Sequence, residues 1–239
     1  MVPEHRDDRG AAVRLPHLDV RTDRRQHRRG EHAGSQRHPG QQQLLQHVRV
    51  VRVVLDDLRV LALNNRKRVD VYFSQEAGQR IVSAFAYCFT AAPGSGYPPI
   101  LNQNLMVAGT PVTIKGPGGD IQLLPFRQDH GDISSLGFRI GNFAYSCDLS
   151  GIPAESDNAV SDLDVWVLDA LRPAPHPSHL SLSEAQDAVG RFRPAEAILT
   201  NLHIDLDYAE TDRITPANVR PAYDGLKIDV TNGKPVSPR

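Results

Sequence analysis

From residue 55 onward the sequence predicts an α/β protein, and three observations carry that expectation. Short runs rich in Val, Ile, Leu and aromatic residues recur along the chain, as in VDVYF (69–73) and LDVWVLDAL (163–171). Between them lie segments with helical spacing, such as QEAGQRIVSAFAYCF (75–89), in which Ile81, Phe85 and Cys88 share one face. Between the last two strand-like runs, Ser181 and Glu184 form an S-x-x-E capping box that opens a short amphipathic helix in HLSLSEAQDAVGRF.

In order, VDVYF reads as a strand and 75–89 as a helix, which ends at the turn-rich loop AAPGSGYPPI. The GSG of that loop is a weak phosphate cradle, because no helix start follows it; a plain loop fits better. PVTIKG, DIQLLPFRQDH, LGFRIGNFAYSCD, LDVWVLDAL and EAILTNLH follow as strands. The last segment, PAYDGLKIDV, reads as a turn and a closing strand. The organisation expected is a head (1–54), a domain (55–230) and a tail (231–239).

The head differs in kind. Residues 1–54 carry 11 Arg against 6 Asp or Glu, whereas the rest of the chain carries 16 basic and 22 acidic residues. All 14 aromatic residues lie after the head. Without periodicity or aromatic residues the head cannot bury a core, so disorder is the physical expectation; only LLQHVRVVRVVL at its end has a strand pattern. Three readings stand: an arm that binds nucleic acid, a solvated tail, or residues that are not the natural start of the domain. The third is favoured over the first. Its Arg/His/Gln bias without Lys suits a GC-rich strand read out of frame, and the arginines have no aromatic stacking partners.

No apolar run is long enough to span a membrane, and no signal-peptide pattern is present. Cys88 and Cys147 lie in no CxxC pair, which suits two half-buried thiols in a reducing cytoplasm.

Chemistry concentrates at strand ends. His130, Asp148, Asp169, His179 and His203 each follow an apolar run. Singly, each has a bland reading: a capping or surface histidine, an Asp148 that starts a turn, an Asp169 that fixes the ALRP turn. Their order is more informative, since His and Asp from separate strand ends supply ligands suited to Zn²⁺ or Mn²⁺.

Several segments together resemble the metallo-β-lactamase-fold hydrolases. They are DDLR (56–59), HGDISSLGFRI (130–140), AYSCD (144–148), LDAL (168–171), HPSHLSLSEA (176–185), TNLHIDLDY (200–208) and PAYDG (221–225). The branch they most resemble is that of the phosphoribosyl cyclic phosphate phosphodiesterases, relatives of tRNase Z. The resemblance implies an αββα sandwich around a two-metal centre, in which a bridging hydroxide attacks a small cyclic or nucleotide-type phosphodiester. It implies that His130 is a metal ligand, that Asp148 bridges the ions, and that His179 protonates the leaving alkoxide or contacts the phosphate. His176, within a Pro-rich loop, is the weaker candidate for that last role. The last ligand is expected in a Thr-His pair, where this chain has Asn201; His203, two residues on, becomes the candidate because i and i+2 of a strand share a face.

The departure is upstream. The HxHxDH signature of that family is expected just before DDLR, where residues 46–51 read QHVRVV. The expectation is therefore an incomplete N-terminal β-layer and one incomplete metal site built on His130, Asp148 and His203. The corresponding alternatives to an active phosphodiesterase are an inactive remnant of such an enzyme and a basic-armed nucleic-acid-binding protein. Substrate choice is expected to lie in loops 90–104 and 150–160.

Overall fold

The computed structural model describes residue 55, residues 57–116 and residues 119–228. The head with its QHVRVV segment, Asp56 and everything after residue 228 lie outside the described residues, and so do the expectations placed on them. By its internal contacts the described chain divides after Leu105 into two compact units.

Among the described residues the first unit comprises a helix, α1 (residues 57–64), followed by β1 (Val69–Phe73), α2 (Gln75–Ala84), α3 (Ala86–Phe89) and β2 (Leu101–Leu105). β1 and β2 pair in parallel, Val69 opposite Leu101. Ser74 caps α2 by accepting from the Ala77 N–H, 3.2 Å away. The single helix expected over 75–89 is two, because Phe85 leaves helical geometry (φ −129°, ψ 36°). The predicted face survives the break: Phe85 and Cys88 are buried with Ile100 and Leu101, and Ile81 packs against them.

The second unit is a seven-stranded sheet in the order β3-β4-β5-β6-β7-β8-β9. Its strands are β3 (Val112–Ile114), β4 (Ile121–His130), β5 (Ile133–Ile140), β6 (Phe143–Ser146), β7 (Val165–Asp169), β8 (Glu196–Thr200) and β9 (Val219–Pro221). Pairing is antiparallel from β3 to β6 and parallel from β6 to β9. LGFRIGNFAYSCD is therefore a hairpin rather than one strand, turning at Gly141, whose φ of 56° suits a residue without Cβ. Among the described residues the last strand is Val219–Pro221, which ends on the first residue of PAYDG, and residues 226–228 after that turn are not in a strand.

β7 is buried along its whole length, as expected of a parallel strand covered on both faces. Trp166 and Leu168 join Ala197 and Leu199 in one core, while Val165 and Val167 join Ile198 in another. α4 (Leu182–Phe192) covers the first of these with Leu182, Ala185 and Val189. Each fully buried aliphatic side chain contributes roughly 1.5–3 kcal/mol. The capping box opens α4 as the sequence predicts: Ser181 N–H donates to Glu184 Oε2 (2.8 Å), and Glu184 N–H donates to Ser181 Oγ (3.3 Å). α5 (Tyr208–Ile214) follows β8, capped by Asp207, which accepts from the Glu210 N–H.

This topology gathers the site. β4 runs antiparallel to β5 and β5 antiparallel to β6, so β4 shares the direction of β6, β7 and β8. The carboxyl ends of all four strands therefore lie along one edge of the sheet, the usual place for a ligand crevice in a parallel α/β sheet.

Candidate metal centre

His130 is the last residue of β4, Asp169 is the last of β7, and Asp148 and Asn201 follow β6 and β8 within two residues. His179 comes from the loop ahead of α4. Asp148, Asp169 and His179 each offer a ligand-type atom, and those atoms lie within 4.8 Å of one another. The His130 ring stands edge-on to His179 with centroids 4.8 Å apart, and the His176 ring lies 5.1 Å from His179.

Hydrogen bonds assign the tautomers. His130 Nδ1 is 2.6 Å from the Ser178 carbonyl, which only accepts, so Nδ1 carries the proton and Nε2 keeps its lone pair. His179 Nδ1 is 2.7 Å from Asp169 Oδ2, and the same logic applies. An imidazole held from behind by a carbonyl or carboxylate, with Nε2 free, is the arrangement found behind metal-ligating histidines. Close approach of the loop makes this possible. At Gly131 (φ 61°) a Cβ would stand 3.1 Å from Ser178 Cβ and 3.3 Å from the Pro177 carbonyl.

Asp169 is fully buried and its oxygens are engaged. Oδ2 accepts from His179 and, at 3.4 Å, from the Leu149 N–H; Oδ1 accepts from Asn201 Nδ2 at 3.1 Å. It therefore orients its neighbours more than it offers itself. Asp148 is the opposite case, with a side chain 61% exposed and Oδ1 4.0 Å from His179 Nδ1. Burial, aided by the charges of Asp148 and Asp169, pushes the Cys147 thiol up to about 11, so it stands as a neutral group beside the cluster. Burial foremost, then the Arg172 charge, pushes His176 below its ordinary value.

The structure thus brings together His130, Asp148 and His179 and sets His203 apart. β8 ends at Thr200, and Asn201 turns the chain with a left-handed φ of 60°. The same-face argument for His203 required the strand to continue through it. His203 is half exposed, with Nδ1 3.0 Å from Asp205 Oδ2, and Asn201 is the residue that reaches the cluster. Asp169 is the functional residue that sequence reasoning underweighted. Its signal is a carboxylate closing the four-residue apolar run Val165–Leu168. Cys88 and Cys147 are buried and half-buried, and neither forms a disulfide.

The donor set fits a divalent ion: an exposed carboxylate oxygen on Asp148 and an imidazole lone pair on His130, with Asp169 and His179 beside them. A mixed sheet with carboxylate and imidazole donors along the carboxyl ends of its strands defines an α/β protein with a metal-type centre. Comparison with known proteins sharpens the class: the chain belongs to the β-lactamase superfamily, whose domain model matches residues 23–204.

Among solved structures it is similar to a diphosphatase from the PhnP family. Identity there is 28%, the TM-score is 0.62, and the match covers 72% of this chain and 63% of that one. The metallo-β-lactamase-fold protein YhfI from Bacillus subtilis shares the fold at 13% identity and a TM-score of 0.53, over 70% of this chain and 68% of that one. So does the Zn²⁺-bound PqqB from Methylobacterium extorquens, at 11% identity and a TM-score of 0.52, over 70% and 66%. A curated relative from Porphyromonas gingivalis (strain ATCC BAA-308 / W83), named octanoyltransferase, is 29% identical over 176 residues, 72% of this chain. The chain spans about a third (34%) of the length of that relative. The α/β class expected from the sequence and the metallo-β-lactamase fold expected from the resemblance are both borne out. No helix among the described residues is long and apolar enough to cross a membrane.

Proposed function

We propose that this chain is a metal-dependent phosphohydrolase acting on a small phosphodiester of cyclic or nucleotide type, in the phosphoribosyl cyclic phosphate phosphodiesterase-like branch. The observation that carries the reading is the convergence of Asp148, Asp169 and His179 at the carboxyl edge, with His130 beside them. The likeness to a diphosphatase supports phosphate chemistry. Asp148 and His130 would hold a divalent ion, Zn²⁺ or Mn²⁺, through an exposed carboxylate and an Nε2 lone pair. When bound, such an ion supplies Lewis acidity and lowers the pKa of coordinated water.

The protein's own groups do the rest. Asp169 fixes the His179 ring through Nδ1 and stabilises it when protonated, so that Nε2 can give a proton to the leaving oxygen. Asn201 is held by the same carboxylate and presents an amide to the site.

Release of p-nitrophenol from bis-p-nitrophenyl phosphate with added Mn²⁺ or Zn²⁺ tests this. Turnover by wild type that is lost in Asp148→Asn is expected; no release above the metal-only blank overturns the proposal. A second reading, an inactive relative that retains a single weak ion site, is favoured by Asn201 and by QHVRVV at 46–51. It predicts metal binding without turnover in the same assay.

A further inference from the structure

We propose that Gln128 and Ser135 are positioning residues that clamp the two carbonyls flanking Asp148 and so hold its carboxylate at the site. This rests on the reading of Asp148 as a metal ligand. Asp148 has a φ of 57°, a left-handed conformation disfavoured for residues with a Cβ. Such a conformation persists where the surroundings over-determine it.

The surroundings do so at three points. Gln128 Nε2 donates to the Cys147 carbonyl at 3.1 Å. Ser135 Oγ donates to the Asp148 carbonyl at 2.7 Å. On the far side Leu149 is fully buried, and its N–H points to Asp169 Oδ2 at 3.4 Å. Only the carboxylate itself is left exposed. The two donors are linked, because Gln128 Nε2 also donates to Ser135 Oγ at 3.1 Å, which orients the hydroxyl proton toward Asp148.

Gln128 carries a cost that argues for this role. It is fully buried, and its Oε1 has no hydrogen-bond partner among the described residues. That oxygen occupies the space where a Cβ on Gly137 would stand, 2.4 Å away. Reversing the amide would set Oε1 against the Cys147 carbonyl, two acceptors facing each other, so the orphaned oxygen accompanies the donated bonds. A leucine would fill the volume with no unsatisfied oxygen. What the amide supplies and leucine cannot is the grip on residue 147. β4 therefore contributes to the site twice, with His130 facing the cluster and Gln128 two residues earlier holding the loop after β6.

Co²⁺ binding to the full chain, read by its d–d absorption and by titration, tests the clamp without requiring turnover. Ser135→Ala is expected to weaken Co²⁺ about tenfold and to change the absorption envelope, the effect typical of losing a group that orients a ligand. Ser135→Thr, which keeps the hydroxyl, restores both. Gln128→Leu is expected to act in the same direction. Because Ser135 is only half buried, its variants remain informative if the Gln128 variant does not fold. Co²⁺ bound by Ser135→Ala with wild-type affinity and spectrum overturns the clamp alone. No Co²⁺ binding by wild type overturns the metal-centre reading and the clamp with it.

Discussion

Replacing Asp169 by Asn removes one charge and almost no volume, yet it strikes the group on which three site residues converge. The carboxylate accepts from His179 Nδ1 (2.7 Å), Asn201 Nδ2 (3.1 Å) and the Leu149 N–H (3.4 Å), with no exposure to water. An amide can place its oxygen toward Oδ2's partners or toward Asn201, not both, so one buried donor meets another NH₂ group. Loss of a hydrogen bond to a charged acceptor is worth about 1.5–3 kcal/mol, and an orphaned buried donor costs about 1–3 kcal/mol more. The two overlap, because the site relaxes, and about 2–4 kcal/mol of destabilisation is expected. Urea unfolding reads this as a lower midpoint at unchanged slope. There is a second consequence. If the amide NH₂ faces His179, the ring must accept at Nδ1, and no carboxylate remains to stabilise the imidazolium that gives its proton to the leaving oxygen. Release of p-nitrophenol from bis-p-nitrophenyl phosphate should then fall by about 100-fold or more. Wild-type stability and wild-type turnover in Asp169→Asn would refute this role of the carboxylate.

Trp166→Ala should destabilise by about 3–5 kcal/mol in urea, since a fully buried indole is lost from the main core and Ser146 Oγ loses its 3.0 Å donor. Gly137→Ala should cost about 1–3 kcal/mol, because its Cβ would stand 2.3 Å from the Phe126 ring and 2.4 Å from Gln128 Oε1; calorimetric melting checks this. Ser181→Ala removes the hydroxyl that accepts from the Glu184 N–H and donates to Glu184 Oε2, leaving only the backbone bond of the capping box, and should lower stability by about 1 kcal/mol. The same cap has a pH signature. The Ser181 hydroxyl and backbone N–H hold Glu184 below its ordinary value of 4.5. Stability from the cap is therefore fully present above about pH 4.5 and is lost as pH falls through the lower folded value. The gap in melting temperature between wild type and Ser181→Ala should narrow in that acid range and be widest near neutrality.

What was legible in the sequence and what was not divides along physical lines. β7 and α4 could be read because their signals are local: an unbroken apolar run bounded by polar residues, and a capping box that needs four consecutive positions. His130 and Asp148 could be read as candidates because a polar side chain at a strand end is also a local pattern. The tautomers of His130 and His179 could not. They depend on a carbonyl 48 residues from His130 and a carboxylate ten residues from His179. α5 carries the same kind of cap signal as α4, with Asp207 and Glu210 at cap and third position, yet it is not legible as a helix. Its seven residues bury only Thr211, so no apolar stripe announced it. His203 shows how a sound rule fails on a boundary. Residues i and i+2 share a face only while the strand lasts, and β8 stops at Thr200, where a left-handed Asn201 sends the chain elsewhere. The boundary residue then becomes the one that matters. In its left-handed turn Asn201 stays within 3.1 Å of Asp169, so the side chain that the turn after β8 brings to the cluster is an amide, a weaker donor than an imidazole. Zinc affinity should therefore rise in Asn201→His and stay unchanged in His203→Ala, and the reverse pattern would return the ligand role to His203.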